Sequence, residues 1–536
     1  MVGREPNGGL ALPPAPLASV TAQLALGSRQ ALVPSTLQLG FPDVQPGSLR
    51  QQPAVCSSSG QPPSGKSNSS CRDASKSHGG GGRASFNFGR RAFGLSIGAG
   101  AGAGAFLFGG GGIARAAPLW PLACVSKGSG MKEGRRPRIL ILMSDTGGGH
   151  RASAEALKAG FEEQFGDKFE IDVCDIWTHY TPWPCNQLPK TYSFMVKYSV
   201  LWRLNFNTTQ PRLVHVPITT AASALIGREV SRCYEHFQPD LVVSVHPLMQ
   251  HVPVRILKQR IRRGLQKPTN FATVVTDLTR CHNTWFHPKV DRCYVATPIQ
   301  KQQALRLNMK EEQLRLFGLP IRPAFSRQYP PKRSLRAQLG MDLDTPAVLL
   351  VGGGEGMGPV EKTVEGVAQV VGAACQLVVI CGRNTRLAER LQKREYPPGM
   401  KVLVLGFVTN MAEIMSACDV IITKAGPGTI MEALICGLPL VLNAFVPCQE
   451  EGNIPYVVDS KVGVFERDPF RAAALIRDWL TDRRGELEAM AARAKALGQP
   501  HALANIVGDL ATLVRGAGHD DRPTAAGHEL SAGYAA

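Results

Sequence analysis

The chain has 536 residues, with 60 Lys and Arg against 42 Asp and Glu, which gives a formal net charge of +18 at pH 7. This length is too great for one simple domain and predicts two domains plus an additional segment. The positive surplus favours anionic partners such as phosphates, nucleic acid or acidic lipid. The 13 cysteines include no CxxC pair and argue against a disulfide framework.

Residues 1–130 form the additional segment. They hold 24 of the 56 glycines and 11 basic residues against three acidic ones, a composition that cannot bury a core. A segment rich in Ser and Arg, without a compact apolar region, is typical of an organelle transit peptide followed by a linker. A disordered arm that stays attached is the alternative. The uncharged run 92–114 is a poor transmembrane candidate, because nine of its 23 residues are glycine.

After this segment, strands and helices alternate through the chain. Continuous Val, Ile and Leu runs indicate buried parallel strands, predicted at 138–143, 169–174, 241–245, 271–275, 293–296, 347–351, 377–380, 402–405, 420–422 and 440–442. The proline-rich segment 317–331 marks a domain boundary. The predicted fold is α/β, with two doubly wound Rossmann-like domains, 137–322 and 335–500, facing across a cleft. A closing helix is expected at 501–515 and a disordered tail at 516–536.

The turn after the first predicted strand, SDTGGGHRAS at 144–153, carries the first chemical signal. Gly148 and Gly149 let the backbone approach a ligand, and the following helix offers free N–H groups. The turn also fits the GxGxxG/A dinucleotide fingerprint, which leaves an NAD-dependent oxidoreductase as an alternative. A helix N-terminus disfavours the imidazolium, so we expect His150 to be neutral and able to accept a proton near pH 7. A histidine that only caps the turn is the other interpretation.

Two further glycine-rich turns follow strands of the second domain. The turn GGGEGMG at 352–358 contains Gly353 and Gly354 and offers backbone donors to a phosphate. The segment TKAGPGTIMEA at 423–433 aims helix N–H groups at an anion, and Glu432 could accept two hydrogen bonds from a ribose diol. Beyond the next strand, QEEGN at 449–453 suits a polyhydroxylated sugar; a solvated helix start is the alternative.

An aromatic and basic stretch in the first domain predicts a membrane-docking face. Residues 176–228 contain no acidic residue and five basic ones, and residues 177–206 hold eight aromatic residues. Trp and Tyr favour the headgroup layer, and each basic side chain near an anionic leaflet adds about 1 kcal/mol. The acid-free stretch 241–276 has the same character. An ordinary core with a solvated face and a nucleic-acid surface are the alternatives.

A loop between the predicted strands 271–275 and 293–296 carries two further features. Cys281, His282, His287 and Cys293 invite a zinc interpretation, but their spacing is unlike that of a finger or ribbon. Trp285, in the same loop as Asp277, is expected to line the cleft or the membrane edge.

Together these segments, with LGFVTNM at 405–411 and CQEEGN at 448–453, resemble the plant monogalactosyldiacylglycerol synthase family over about residues 137–515. A more distant resemblance is to the bacterial peptidoglycan N-acetylglucosaminyltransferases. The resemblance implies the GT-B fold, no metal and no other cofactor. It also implies inverting transfer of galactose from the donor UDP-galactose to 1,2-diacylglycerol, giving a β-galactolipid of plastid membranes. A non-catalytic lipid-binding protein is a third alternative.

The resemblance also implies roles for individual residues. His150 would be the general base. The donor would be bound by Gly353, Gly354, Phe407, Val408, Lys424, Gly426, Pro427, Gly428, Thr429, Glu432, Gln449, Glu450, Glu451 and Asn453. The acceptor and the membrane would be contacted by Gly148, Gly149, Trp183, Pro184, Asp277, Trp285 and Arg260.

Within the implied donor site, Gly426 to Thr429 would hold the diphosphate, Glu432 the ribose and the backbone of Phe407 and Val408 the uracil. Whether Glu450 or Glu451 faces the sugar stays open. The implied location is the chloroplast envelope, reached through the transit peptide, with anionic membrane lipids as partners. No nucleic-acid partner is expected, and homodimer formation stays open.

Overall fold

The computed structural model describes residues 135–146, 148–183, 185–354, 356 and 358–514. All of them belong to one compact unit of the chain. The predicted transit peptide, linker and C-terminal tail, together with Gly147, Pro184, Glu355 and Met357, lie outside the described residues.

The first sheet has six parallel strands in the order β2-β1-β3-β4-β5-β6. They are β1 (Arg138–Met143), β2 (Glu170–Asp175), β3 (Leu241–Ser244), β4 (Asn270–Val274), β5 (Arg292–Val295) and β6 (Leu314–Leu316). The strand order reverses between β1 and β3, so the loops that leave these strands diverge and open a crevice. The crevice lies at the carboxyl ends of the strands, where the first glycine turn begins.

The second sheet repeats this design in the order β12-β11-β10-β7-β8-β9. Its strands are β7 (Ala347–Val351), β8 (Gln376–Ile380), β9 (Val402–Leu405), β10 (Val420–Lys424), β11 (Leu440–Ala444) and β12 (Gly463–Phe465). Here the order reverses between β7 and β10, and the other two glycine turns leave these two strands. The fold therefore brings together turns that are separated by about seventy residues of sequence.

Helices cover the sheets. The first domain contains α1 (Gly149–Phe165), α2 (Ile176–Tyr180), α3 (Leu188–Lys197), α4 (Ser199–Thr209), α5 (Arg212–Phe237), α6 (His251–Arg262) and α7 (Pro298–Arg306). The remaining helices are α8 (Lys332–Gln338), α9 (Val360–Val370), α10 (Thr385–Gln392), α11 (Met411–Ala417), α12 (Pro427–Cys436), α13 (Asn453–Asp459), α14 (Pro469–Leu480), α15 (Arg484–Leu497) and α16 (Ala502–Thr512). Among the described residues, no helix is both long enough and apolar enough to cross a bilayer.

The last helix, α16, returns to the first domain. Leu503 and Val507 pack so tightly on α1 that a Cβ atom at Gly160 would lie 3.0 to 3.1 Å from them. Tyr294 of β5 donates a hydrogen bond of 2.6 Å to the carboxylate of Asp509. The chain thus passes from the first domain to the second and back, which ties the two together.

The prediction of two doubly wound parallel sheets is confirmed. Each predicted strand occurs within two residues of its predicted bounds. The sequence analysis missed β6 and β12, which are edge strands of three residues each. Such short strands carry too few apolar residues to form a recognisable run.

Candidate active site

His150 lies at the start of α1, directly after the first glycine turn. Its ring is buried, with Nδ1 2.9 Å from the carbonyl oxygen of Val245 and 3.0 Å from Oγ1 of Thr276. Because a carbonyl oxygen can only accept, Nδ1 carries the ring proton and Nε2 is the unprotonated atom. Burial lowers the pKa of His150 to about 4. The expected neutral ring is therefore found, although burial, rather than the helix N-terminus, is its main cause.

Two aromatic rings complete the pocket around His150. The ring centroid of His246 lies 4.4 Å away and that of Trp285 lies 6.0 Å away. His246 Nδ1 accepts from the backbone N–H of Leu248, so its Nε2 donates to Oγ1 of Thr146 at 2.9 Å. Both nitrogens of His246 are therefore engaged, whereas Nε2 of His150 makes no hydrogen bond to any described residue. Of these two rings, only His150 can accept a proton without breaking an existing contact.

Open space lies in front of the first glycine turn. Gly148 has a φ of 78°, a conformation that favours glycine. Cβ atoms placed on Gly148 or Gly149 would meet no atom of the described residues within 4 Å, chain neighbours aside. A ligand could therefore approach the backbone beside His150.

Asp277 connects this pocket to the second domain. Its carboxylate accepts a 2.7 Å hydrogen bond from Nε1 of Trp285 and another from the side-chain amide of Gln449. Burial raises the pKa of Asp277 to about 6; the nearby Glu450 adds to the rise, and the two hydrogen bonds oppose it. The first domain's histidine pocket and the second domain's 449–453 segment therefore share one cleft.

An anion pocket lies on the second domain's side of the cleft. The N-cap residue of helix α12 is Gly426, which has no side chain to cap the helix, so the N–H groups of Gly428 and Thr429 have no side-chain partner there. A Cβ on Gly426 would lie 3.1 Å from Nζ of Lys424, and one on Gly353 would lie 3.6 Å from its Cε. Both glycine turns and one lysine therefore converge, an arrangement that suits a diphosphate.

Open space also continues in front of this pocket. Apart from their chain neighbours, no residue that the structure describes would come within 4 Å of a Cβ atom at Gly354 or Gly428. Pro427 is the first residue of α12 and has no N–H of its own.

Glu450 and Glu451 point to different surroundings. Glu450 is 5% exposed, forms an ion pair with Lys424 and accepts a 2.8 Å hydrogen bond from the backbone of Val446. Glu451 is exposed and lies 3.7 Å from the guanidinium of Arg203. Glu450 therefore lies beside the Gly426 turn, whereas Glu451 lies at the rim.

The positions predicted for ribose and uracil each carry an arginine that the sequence analysis missed. Arg322 pairs with Glu432 at 2.8 Å; burial raises the pKa of Glu432, and this arginine opposes the rise. Phe407 follows β9 and is exposed, with the Arg383 guanidinium 5.5 Å from its ring centroid. Val408 packs against the core. Both arginines lie in loops without a recognisable motif.

Helices of the first domain hold the predicted sugar segment. The hydroxyl of Tyr192 donates to Oε1 of Gln449 at 2.9 Å, and Nε1 of Trp202 donates to the carbonyl of Pro447 at 3.0 Å. With its oxygen bound by Tyr192 and its nitrogen directed to Asp277, the Gln449 amide has a fixed orientation.

A second contact anchors the end of the same segment. Thr279 donates to Oδ1 of Asn453 at 2.9 Å, and Nδ2 of Asn453 donates to the carbonyl of Ala425, also at 2.9 Å. Asn453 is buried and makes both contacts through its side chain, so it links the first domain to the residue that precedes Gly426.

The opposite side of these helices is apolar and exposed. Its large side chains, with exposed fractions from 48% to 90%, are Trp183 before α3, Phe194 and Tyr198 at α3, Val200, Leu201 and Leu204 on α4, and Leu213 and Leu225 on α5. The aromatic stretch is therefore divided, because Trp177, Trp202 and Phe206 are buried. The membrane-face and core interpretations each apply to part of it.

Arg260 does not belong to that face, which corrects the expectation from sequence. It is only 4% exposed, and its guanidinium contacts Glu235 at 2.6 Å and the carbonyl of Leu265 at 2.9 Å. The side chain therefore fixes α6 to α5. Trp285 is also fully buried and lines the histidine pocket rather than a membrane edge.

Within the described ranges, no group of three or more His, Cys, Asp or Glu side chains could hold a metal ion. Cys281 and Cys293 are buried in the apolar core of the first domain.

The fold and the site define a class of protein. Two doubly wound domains, one with a neutral histidine and the other with an anion pocket, face each other across a cleft, as in GT-B glycosyltransferases. In agreement, residues 347–453 match the family described as glycosyltransferase family 28 C-terminal domain. Residues 150–321 match the family described as monogalactosyldiacylglycerol (MGDG) synthase.

Full-length relatives are more specific. The chain is 50% identical over 396 residues to the probable monogalactosyldiacylglycerol synthase, chloroplastic, of Glycine max, covering 73% of this chain and 74% of that one. It is 46% identical over 393 residues to monogalactosyldiacylglycerol synthase 1, chloroplastic, of Arabidopsis thaliana, covering 72% and 73%. A crystal structure of Acinetobacter baumannii MurG matches 70% of this chain and 99% of its own, with 14% identity and a TM-score of 0.46. The chain belongs to the monogalactosyldiacylglycerol synthase family, which replaces the oxidoreductase interpretation of the first turn.

Proposed function

We propose that the chain transfers galactose from UDP-galactose to 1,2-diacylglycerol with inversion, and that His150 is the general base. The observation that carries the proposal is the unprotonated Nε2 of this buried, neutral ring, in the same cleft as an uncapped helix N-terminus. Inversion by one displacement needs a base on the acceptor side and stabilisation of negative charge on the leaving side. The two domains supply one each.

On the acceptor side, the hydroxyl of diacylglycerol gives its proton to Nε2 of His150 as its oxygen attacks the anomeric carbon. The ring then becomes an imidazolium, which burial disfavours. The carbonyl of Val245 offsets part of this cost, since its hydrogen bond to Nδ1 raises the pKa of His150. Thr276 holds the same Nδ1–H and keeps the ring in the productive tautomer.

On the donor side, the bond between the anomeric carbon and the β-phosphate oxygen breaks, and UDP leaves with the electron pair. The N–H groups of Gly428 and Thr429 donate hydrogen bonds to the phosphate oxygens and stabilise the developing negative charge. When the donor binds, Lys424 leaves its ion pair with Glu450 and pairs with the diphosphate instead. Glu450 is then available to accept hydrogen bonds from galactose.

The remaining donor contacts follow from position. Glu432 has a second carboxylate oxygen for the ribose diol, while Arg322 holds the first. Phe407 and Val408 offer backbone groups to uracil at the end of β9. Gln449 faces the sugar from the segment fixed by the first domain. The side chain of Asn453 is already bonded to Thr279 and Ala425, so it holds the end of that segment rather than contacting the sugar.

The acceptor requires contact with a membrane, since diacylglycerol does not leave a bilayer easily. The exposed apolar residues of α3 to α5 support docking of this face, and the absence of acidic residues from 176–228 supports attraction to anionic lipids. The relatives named above are chloroplastic, and the composition of 1–130 suits a transit peptide. We therefore place the protein at the chloroplast envelope as a peripheral enzyme.

The test is UDP release from UDP-galactose in the presence of diacylglycerol vesicles, with the anomeric linkage of the lipid product determined by NMR. Wild type should produce a β-galactolipid. Thr276→Val, which keeps the shape of the side chain but removes one acceptor from Nδ1, should lower turnover without changing UDP affinity. Vesicle binding that ignores UDP-galactose and yields no UDP would refute the proposal and favour a lipid-binding protein.

A further inference from the structure

A second cationic cavity lies in the first domain and is lined by none of the residues assigned to transfer. It has a volume of about 170 Å³, smaller than the roughly 300–1,000 Å³ of pockets that enclose a drug-sized ligand. Its charged and titratable lining consists of Arg212, His215, His251, Arg255, His287 and Lys289. No carboxylate lines it, so a small anionic group suits it better than a whole nucleotide does.

Two helix N-termini add positive potential to this cavity. Arg212 and His215 belong to the first turn of α5, and His251 is the first residue of α6. Neither helix has a side-chain cap. First-turn N–H groups carry partial positive charge and favour an anion.

The cations of the cavity are not neutralised by the described part of the chain. The side chains of Arg255 and Lys289 make no hydrogen bond or ion pair with any described residue, and Arg212 contacts only the carbonyl of Leu307, at 3.1 Å. Nε2 of His251 is buried without a hydrogen-bond partner there. An anion would satisfy these groups together.

The three histidine rings pack edge to face in a row. Ring centroids of His215 and His251 lie 5.2 Å apart, and those of His251 and His287 lie 4.9 Å apart. Burial is the largest cause that lowers the pKa of each ring, and Arg212 lowers all three further. A bound cation would meet the same repulsion from Arg212, Arg255 and Lys289, so the cavity suits an anion better than a cation.

We propose that this cavity binds a phosphate group. Guanidinium groups form paired hydrogen bonds with phosphate oxygens, and a lysine adds a point charge. The group can come from a phospholipid headgroup or from a soluble phosphate ester. Leu213, next to Arg212, is 90% exposed and lies on the docking face, which favours the lipid source.

The experiment compares the full chain on two kinds of phosphatidylcholine vesicle with equal surface charge, one containing phosphatidic acid and the other oleate. The phosphate and carboxylate headgroups are thus compared while the long-range electrostatic attraction of the protein to the vesicle surface is the same. We expect wild type to bind the phosphatidic acid vesicles about tenfold more tightly, as charged hydrogen bonds predict. Arg255→Gln with Lys289→Gln should abolish this preference. Lys289→Gln alone, at an exposed position, should reduce it and tests the idea if the double variant does not fold.

The matched control is Arg262→Gln with Arg263→Gln, which removes the same charge from the other end of α6. It should weaken binding to both vesicles equally and keep the preference. Equal loss of preference in the control, or no preference in wild type, would overturn the proposal.

Calorimetry with glycerol 3-phosphate distinguishes the two sources. Binding to wild type but not to the double variant would show that the phosphate group alone suffices. Vesicle preference without binding of the soluble ester would identify a membrane lipid as the source. UDP release from UDP-galactose with oleate vesicles that also contain diacylglycerol should be unchanged in all variants, so failure here leaves the proposed transfer reaction intact.

Discussion

Asp277→Asn tests the electrostatics of the cleft most directly. The folded protein holds this carboxyl in a buried position that raises its pKa from 3.8 to about 6. As pH rises from 3.8 through 6, the unfolded chain releases the proton more readily than the folded one, so folding stability falls. Asparagine keeps an acceptor for Trp285 and carries no charge. The variant should therefore lack this loss of stability.

The magnitude follows from the two pKa values. Above about pH 7, burial of the Asp277 carboxylate lowers the free energy of unfolding by about 3 kcal/mol. At pH 5, where the folded carboxyl is mostly protonated, the reduction is about 1.6 kcal/mol. The substitution also weakens the hydrogen bond from Gln449, which costs about 1–3 kcal/mol at any pH. That loss lowers the stability of the variant by the same amount at every pH and does not change how the stability difference from wild type depends on pH. The stability of the variant relative to wild type should therefore rise by about 1.4 kcal/mol between pH 5 and pH 8.

The assay is urea unfolding followed by tryptophan fluorescence at several pH values over this interval. Thr276→Val is the control, because it changes the neighbouring residue and no charge; its effect on stability should be similar at each pH. A pH-independent difference between Asp277→Asn and wild type would show that burial does not perturb this carboxyl, and our account of the cleft would be wrong.

Three further predictions concern the transfer reaction. His150→Ala should lower turnover by about 10²- to 10⁴-fold, as for loss of a general base, with UDP affinity measured by calorimetry nearly unchanged; equal loss of UDP binding would contradict the role. Glu432→Ala should weaken UDP binding, because one carboxylate oxygen remains available for the ribose, and unaltered affinity would remove it from that site. Arg322→Met, which leaves this carboxylate without its ion pair, is the matched variant and should weaken UDP binding less. Tyr192→Phe should raise KM for UDP-galactose about two- to tenfold, since one hydrogen bond that orients Gln449 is lost; unchanged KM with lower kcat would argue against that contact.

The sequence predicted the parts of the site that lie within single turns. His150, Lys424 and Glu432 could be placed because each follows a strand and a glycine turn, and such turns meet at the carboxyl edge of a parallel sheet. Thr276 and His246 lie at the same edge without glycine beside them. A search of the residues that follow every predicted strand would have included both.

Contacts across the cleft could not be predicted in this way. Tyr192 and Gln449 are 257 positions apart, and neither position has a local signal that names its partner. The prediction that Arg260 contacts the membrane was wrong for a different reason. Its stretch is basic in composition, but composition does not indicate that one guanidinium faces inward to Glu235.

The aromatic stretch shows what periodicity would have added to composition. Tyr192, Met195 and Val196 on α3 follow helical spacing and pack around Trp202, whereas Phe194 falls between them and is exposed. A face that repeats every three or four residues is expected to be buried. Composition favoured a membrane face for the stretch and left a core interpretation open, whereas its spacing already separates one row of side chains from the other. The buried row contacts the segment proposed to bind galactose, so substitutions there should alter KM for UDP-galactose, while those in the exposed row should alter vesicle binding.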